Sequence, residues 1–201
     1  MPFVEVFSAA VLLLLVIDPF GNVPIFATAL ARIAPERRTR VVLRECVVAY
    51  AILLAFMLGG RTFLTWLQLS EASLAIAGGI ILFLIALRMV FHHPEGLFGE
   101  LPTDEPFIFP LAIPLIAGPS AIATVMLMVS RDPARLFAWV VALTAAMVAA
   151  TIVLLAAHRV QRVLGQRGTL AVERLMGLLL TALAVQMLLD GVTTYVTSVA
   201  K

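Results

Sequence analysis

Residues 16–26 read VIDPFGNVPIF and interrupt an apolar stretch that runs from Phe3 to Ala31. Pro19 and Pro24 each lack the backbone N–H that a continuous helix needs, and Gly21 tolerates dihedral angles that end a helix. Asp18 lies well inside this apolar stretch, and an ionisable residue within a membrane segment is costly and usually functional. The stretch therefore predicts a membrane helix that is broken at a functional point.

The composition of the whole chain is that of a membrane protein. Of its 201 residues, 62% are hydrophobic and only 13% are charged, whereas a soluble domain is about half apolar and about a quarter charged. This composition excludes a soluble enzyme or nucleic-acid-binding protein, and the net charge of +2 indicates no polyanionic partner. The single cysteine, Cys46, excludes a disulfide framework and a thiolate metal cluster.

Several apolar segments reach the roughly 20 residues that a membrane-spanning helix needs. The continuous ones are Val41–Leu58, Ala72–Val90, Leu136–Ala157 and Leu175–Val192. A second interrupted segment, Phe107–Val129, is broken at Ala117-Gly118-Pro119-Ser120. The sequence therefore predicts an all-α membrane protein with six transmembrane segments, four continuous and two broken, in a single domain over residues 1–201.

The segment order of broken, continuous, continuous occurs twice, which predicts three-helix repeats over residues 1–91 and 106–199. Pro19 and Pro119 take equivalent places in the two breaks, and the third helices align Gly79 with Gly177. Three crossings reverse the direction of the chain, so the second repeat is inverted relative to the first. Inverted repeats whose discontinuous helices meet at a substrate site are typical of secondary transporters.

The arginines predict the orientation in the membrane. They concentrate in the connections at residues 32–44 and 159–174, and Arg88 lies on the same side. Because cytoplasmic loops are enriched in Lys and Arg, these arginine-rich loops are expected in the cytoplasm and both termini outside.

The residues of the two breaks form the predicted substrate- or ion-binding site. The first N–H groups of a half-helix suit an anion, and Asp18 can carry a proton. The predicted set is Asp18, Pro19, Gly21, Asn22, Pro24, Ala117, Gly118, Pro119, Ser120, Ala121 and Thr124. Structural alternatives remain open, since Asp18 or Asn22 can serve only to cap a half-helix and the second break can be a packed kink.

The other polar residues are assigned to the edges of the membrane. Glu45 follows Arg44 and is expected at the interface, and Asp190 near the end of the last helix is expected to reach it. The pair His92-His93 is placed in an aqueous loop, so no metal site and no cofactor are expected. Aspartyl proteolysis would need Asp18 and Asp190 side by side, and no protease motif is present, so an enzyme is not expected.

Both broken motifs resemble those of the MarC family of bacterial and archaeal membrane proteins. IDPFGNVPIF at residues 17–26 matches the family pattern DPxGNxP, and PLIAGPSAI at residues 114–122 matches AGPGA with Ser120 in place of its last glycine. The likeness covers essentially the whole chain and implies a bacterial inner-membrane location. The SnatA group of this family is described as transporting small neutral amino acids, which implies a glycine- or alanine-like substrate. Its carboxylate would meet Pro119–Ala121, and its ammonium would meet Asp18 or the Ala117 carbonyl.

The resulting hypothesis is a secondary transporter of a small solute, coupled to a proton or Na⁺, because no ATP-binding loop is recognisable in the sequence. Two alternatives stay open: an exporter or channel for another small solute, and a membrane-embedded partner protein without transport of its own. The lipid bilayer is the expected surrounding, and nucleic acid is not an expected partner. A homo-oligomer is compatible with the glycine-rich helix around Gly78-Gly79, which can pack within one chain or against a second copy.

Overall fold

The computed structural model describes residues 2–31, 33–66, 68–91 and 111–199, and within these ranges the chain is helical with no β-strand. The prediction of an all-α chain is therefore confirmed for this part, while the loop residues 92–106, including His92-His93, lie outside it. The α-helices are α1 Pro2–Ile17, α2 Val23–Ala31, α3 Pro35–Trp66, α4 Glu71–Val90, α5 Pro119–Arg131, α6 Leu136–Leu155 and α7 Ala157–Val199. A π-helical turn, Leu111–Ile116, in which Ile113 is extended (φ −126°, ψ 129°), precedes α5. A 3₁₀ turn, Pro133–Arg135, precedes α6.

Four helices among the described residues are long and apolar enough to cross a membrane. They cover Pro35–Gly60, Ala72–Val90, Pro133–Leu155 and Arg167–Val199, and each overlaps one of the predicted continuous segments. Helices α1 and α5 are apolar but shorter, as expected of the halves of broken segments. Large apolar side chains such as Phe7, Leu84 and Phe137 are exposed on the outside, where lipid would cover them.

The predicted breaks are both present. Helix α1 ends at Ile17 and α2 begins at Val23, with Pro24 in its first turn, where a missing N–H removes no helical hydrogen bond. In the second break Gly118 is extended (φ −75°, ψ 164°), and α5 begins at the next residue, Pro119. Proline at a helix start, preceded by a non-helical residue, explains why the second half-helix begins where it does.

The arginine-rich connections were expected as loops, and the structure corrects this. Helix α3 begins at Pro35 and α7 at Ala157, so most of these arginines lie on helical turns. Arg, Gln and Leu are good helix formers, and no sequence signal stops the helix at the edge of the apolar region. Only Gly165 interrupts α7, with the positive φ of 63° that glycine adopts readily.

The helices pack into one bundle in which α4 and α7 form the most extensive pair within the described chain. Helix α1 packs on α6, α3 on α6 and α5, α4 on α5, and α2 on α7, while the π-helical turn packs on α3. Leu13, Phe26, Leu53 and Leu143 are fully buried in the core that these contacts create. The two short helices that follow the breaks are therefore held between longer helices rather than facing lipid alone.

Glycines allow close approach of α4 and α7. A methyl group on Gly79 would lie 3.0 Å from the carbonyl oxygen of Ala184, and one on Gly177 would lie 3.0 Å from the carbonyl oxygen of Ala86. Small residues at helix interfaces in membranes permit such backbone contact. The two contacts are reciprocal, because each glycine meets the carbonyl of the alanine that lies seven residues after the opposite glycine.

The helix ends gather at two opposite ends of the bundle. Glu5 near the start of α1 pairs with Arg135 before α6, and Gly191 in α7 packs against Ala72 at the start of α4. These contacts define one end, called here the Glu5 end. The start of α3 defines the other, called here the Pro35 end.

Candidate functional site

The first break is built around Asp18. Its backbone has a positive φ of 48°, a conformation that Asp and Asn adopt more readily than most residues. Its Oδ1 accepts a hydrogen bond from the Gly21 N–H at 3.0 Å, and the side chain is buried. A methyl group on Gly21 would collide with Asp18 Oδ2 and with Met89 Cε. The carboxylate therefore closes a tight turn, and a larger residue at position 21 would displace the Asp18 and Met89 side chains.

Asn22 connects the first break to the second. Its Nδ2 donates to the Ile17 carbonyl oxygen at 3.0 Å and to the Leu115 carbonyl oxygen at 3.4 Å. The Ile17 carbonyl is at the end of α1, where the last carbonyls have no helical N–H partner, and Leu115 belongs to the π-helical turn. The sequence suggested Asn22 as a cap for α2, but its side-chain amide instead satisfies carbonyls of both breaks.

The second break presents the start of α5. Pro119 has no N–H, and the N–H groups of Ser120 and Ala121 precede the first helical hydrogen bond of α5, which the Ile122 N–H makes to the Gly118 carbonyl oxygen. Ser120 is buried. The positive end of the α5 dipole thus lies beside the first break, which suits the binding of a negatively charged group.

A small cavity, called here the break cavity, lies where the two breaks meet. Its volume is about 30 Å³, and its polar lining consists of Asp18, Asn22, Gly118 and Ser120. Apolar residues of α4 and α7, among them Leu82, Met89 and Leu180, complete its wall. This volume holds a water molecule and is too small for a larger solute.

The predicted site residues divide into three groups. Asp18, Asn22, Gly118 and Ser120 line the break cavity together, and Thr124 lines a second cavity. The residues that line neither cavity are Pro19, Gly21, Pro24, Ala117, Pro119 and Ala121. Those six residues belong to the two breaks and flank the residues that line the cavities.

The second cavity, called here the vestibule, has a volume of about 160 Å³ and lies towards the Glu5 end. Asp190 receives two side chains at its mouth: Arg131 Nη2 lies 3.3 Å from its Oδ2, and Gln186 Nε2 donates to its Oδ1 at 2.8 Å. Thr124, deeper in the wall, donates to the Ser120 carbonyl oxygen at 2.8 Å. One turn of α5 therefore separates the vestibule from the break cavity.

Sequence analysis did not predict that Gln186 and Asp190 line the vestibule. Their spacing of one helical turn on α7 was the available signal, because residues four apart share a helix face. Asp18 and Asp190 line different cavities. The geometry therefore does not bring them together as a pair of carboxylates.

Glu45 was expected at the membrane interface beside Arg44, and the structure shows that its side chain is buried within the protein. Its side chain is 0% exposed. Its Oε1 receives Arg44 Nη2 at 2.8 Å and Arg44 Nε at 2.9 Å. Its Oε2 has no hydrogen-bond partner in the described chain. The signal that sequence reasoning passed over is helical spacing, since Glu45 lies on the same face as the buried residues Val42, Ala49 and Leu53.

Comparisons with known proteins agree with the motif resemblance. A profile of MarC family integral membrane proteins matches residues 3–196. The chain is 45% identical over 189 residues to the UPF0056 inner membrane protein YhgN of Escherichia coli K12, covering 94% of this chain and 96% of that protein. It is 34% identical over 183 residues to a UPF0056 membrane protein of Pyrococcus abyssi, covering 87% of this chain and 88% of that protein. No solved structure matches the chain.

Proposed function

The chain belongs to the MarC family of integral membrane proteins, and from this membership and the geometry of its two breaks we propose that it is a secondary transporter of small polar solutes. Its substrates are small neutral amino acids such as glycine and alanine, and an ion gradient drives their movement. The similar E. coli protein is named an inner membrane protein, which supports a bacterial inner-membrane location for this chain.

The observation that carries the proposal is the meeting of the two breaks at one cavity. Asn22 Nδ2 reaches carbonyl oxygens on both sides, at Ile17 and Leu115. Irregular backbone at membrane depth is tolerated only within protein or beside a water-filled cavity. Paired discontinuous helices that face one another around such a cavity are the usual form of a transporter substrate site.

We also propose that the chain crosses the membrane six times, in two inverted repeats of three spans each. The reciprocal contacts Gly79–Ala184 and Gly177–Ala86 are those expected if a two-fold pseudo-axis passes between α4 and α7. The packing of α4 on α5 has its counterpart in that of α7 on α2, and α1 on α6 corresponds to the π-helical turn on α3. This pairing of contacts supports the relation between residues 1–91 and 106–199.

The chemistry of the break cavity suits a zwitterion. An amino acid carboxylate can accept hydrogen bonds from the Ser120 and Ala121 N–H groups at the positive end of α5. The ammonium group can then bind Asp18 or the carbonyl oxygen of Ala117. Because the break cavity of about 30 Å³ is too small for an amino acid, the transport cycle requires α4 and α7 to move away from the breaks. The vestibule gives the approach from the Glu5 end.

Transport assays in proteoliposomes test this function directly. We expect purified protein to exchange labelled glycine or alanine against unlabelled solute in saturable counterflow, and to accumulate it under an imposed proton or Na⁺ gradient. Liposomes without protein provide the background. Saturable exchange would establish a carrier, whereas single-channel currents without exchange would establish a pore and contradict the proposal.

The variant Asp18→Asn tests the site itself in the same assay. We expect it to lose both exchange and accumulation, because Asp18 is the carboxylate that faces the solute in the break cavity. Asp132→Asn is the matched control, since Asp132 lies between α5 and α6 and pairs with Arg135 at 2.9 Å, away from the cavity. Unchanged transport by folded Asp18→Asn would remove Asp18 from the site.

A further inference from the structure

We propose that Glu45 is a second ion-binding carboxylate of this protein, separate from the solute site, and that it binds the proton that is coupled to transport. The coupling role rests on the proposed function, whereas proton binding at Glu45 can be tested without it. Proton uptake converts the carboxylate to a carboxylic acid with the hydrogen on Oε2, and release returns the same proton to water.

Glu45 is an ionisable residue that is buried within an apolar helix. The residue lies within the apolar part of α3 that spans Pro35–Gly60, and its side chain is 0% exposed. A buried carboxylate is costly unless it is fully paired or bound to an ion. Ionisable residues inside membrane segments are rare and usually lie on ion or proton pathways.

The pairing of Glu45 is incomplete in a specific way. An arginine and a carboxylate usually form two parallel hydrogen bonds that use both carboxylate oxygens. Here Arg44 directs Nε and Nη2 to the same oxygen, Oε1, at 2.9 Å and 2.8 Å, and Oε2 is left without a partner in the described chain. A proton can therefore bind Oε2 without breaking the contact with Arg44.

Among the described residues, the elements that pack most on α3 bring no second carboxylate to Glu45. Helix α6 and the π-helical turn, which pack on α3, contain no titratable residue, and α5 contains only Arg131. Arg131 is far from Glu45, because α5 contacts α3 near Gly60, where Met126 lies 2.6 Å from the position of an added methyl group. On α3 itself the neighbouring groups are Arg44 and Cys46.

Arg44 shows how close Glu45 lies to water. Its side chain is 32% exposed, and it lines an open groove at the Pro35 end with Glu36 and Arg40. Glu45 is therefore one residue inside a surface that water can reach. Helix α3 also packs on the π-helical turn, whose Leu115 carbonyl accepts the hydrogen bond from Asn22 at 3.4 Å. We propose that movement of α3 on this turn links the protonation of Glu45 to the solute site.

Carbodiimide labelling tests proton binding without any transport substrate. Dicyclohexylcarbodiimide adds to a protonated carboxyl in apolar surroundings: the acid proton goes to a carbodiimide nitrogen, the carboxyl oxygen bonds to the central carbon, and rearrangement gives a stable N-acylurea. We expect mass spectrometry of the purified full chain to locate this adduct on Glu45, increasing severalfold as the pH is lowered. Glu45→Gln should abolish the adduct, and Glu36→Gln, at an exposed glutamate of the same helix, should not.

Absence of an adduct on Glu45 over the whole pH range in folded wild-type protein would overturn the proposal. So would labelling that does not depend on pH. Because this measurement locates the adduct in the wild-type chain, it does not depend on a variant that folds. Asp18→Asn should keep the Glu45 adduct, which shows that the two carboxylates are independent sites.

Transport by Glu45→Gln tests the coupling. We expect counterflow to continue at near wild-type rates, while accumulation under a proton gradient falls to simple equilibration and the proton flux reported by a trapped pH dye is lost. Accumulation that survives in Glu45→Gln would overturn the coupling role and leave the transporter intact. Absence of wild-type counterflow would instead refute the proposed function, and the labelling result would still decide proton binding at Glu45.

Discussion

Asp18 combines a backbone role with a charge in the first break. Its positive φ and its hydrogen bond from the Gly21 N–H shape the turn, and its carboxylate faces the break cavity. Asparagine has the same side-chain shape, keeps an oxygen for the Gly21 N–H and adopts a positive φ readily. The two roles can therefore be separated by choosing the substitution.

We predict that Asp18→Asn leaves stability within about 0.5 kcal/mol of wild type, since the capping preferences of Asp and Asn are nearly equal. Asp18→Ala should cost about 1–3 kcal/mol, because it loses the hydrogen bond to Gly21 and places alanine at a positive φ. Unfolding of the purified proteins in detergent measures both values. Equal loss of stability in the two variants would show that the charge, rather than the turn, stabilises this segment.

At the scale of helices, the contact between α4 and α7 depends on two glycines. A methyl group at position 79 or 177 would be pressed against a carbonyl oxygen of the opposite helix at 3.0 Å, closer than ordinary van der Waals contact. The helices would have to move apart, and overpacking of this kind typically costs about 1–3 kcal/mol.

We predict that Gly79→Ala and Gly177→Ala each lower stability by a similar amount, about 1–3 kcal/mol, because their contacts are reciprocal. Gly59→Ala is the matched control. An added methyl group there has no neighbour within 4 Å, so the better helix propensity of alanine should raise stability by about 0.5–1 kcal/mol. Thermal unfolding in detergent compares the three. A Gly79→Ala protein as stable as Gly59→Ala would contradict the packing seen here.

The breaks were predictable because proline and glycine act locally. Pro24, Gly118 and Pro119 determine where α2 and α5 begin, whatever the rest of the chain does. The partner of Asn22 was not predictable, because Leu115 is distant in sequence and only the packed bundle brings the two together.

Glu45 illustrates a different limit of sequence reasoning. Its neighbour Arg44 suggested an interface, but consecutive residues on a helix point in different directions. Arg44 thus reaches the surface while Glu45 faces the core. The arginine-rich segments were wrongly expected as loops for a similar reason. The sequence shows where the apolar span lies, but it does not show where the helix ends beyond that span.

At the scale of the whole molecule, the two cavities are arranged in series. The vestibule opens towards the Glu5 end and stops at Thr124, one turn of α5 from the break cavity. The Arg131–Asp190 pair at its mouth is substantially exposed, and such pairs contribute little to stability. If the protein transports as proposed, the vestibule gives a solute an approach from the Glu5 end, and the break cavity is too small to hold it in this conformation.

This arrangement and the distribution of arginines together predict the orientation of the protein in the cell. The Glu5 end, with the vestibule, should face outside, and the arginine-rich Pro35 end should face the cytoplasm.

Single cysteines introduced into a Cys46→Ser chain report this orientation directly. In intact cells, a membrane-impermeant maleimide should label Ser198→Cys rapidly and Thr124→Cys more slowly, because Thr124 is reached only through the vestibule. It should label Val163→Cys, an exposed position in the arginine-rich first part of α7, only after the cells are permeabilised. Labelling of Val163→Cys in intact cells would reverse the orientation, and labelling of Ser198→Cys without Thr124→Cys would show that the vestibule is not a path from outside.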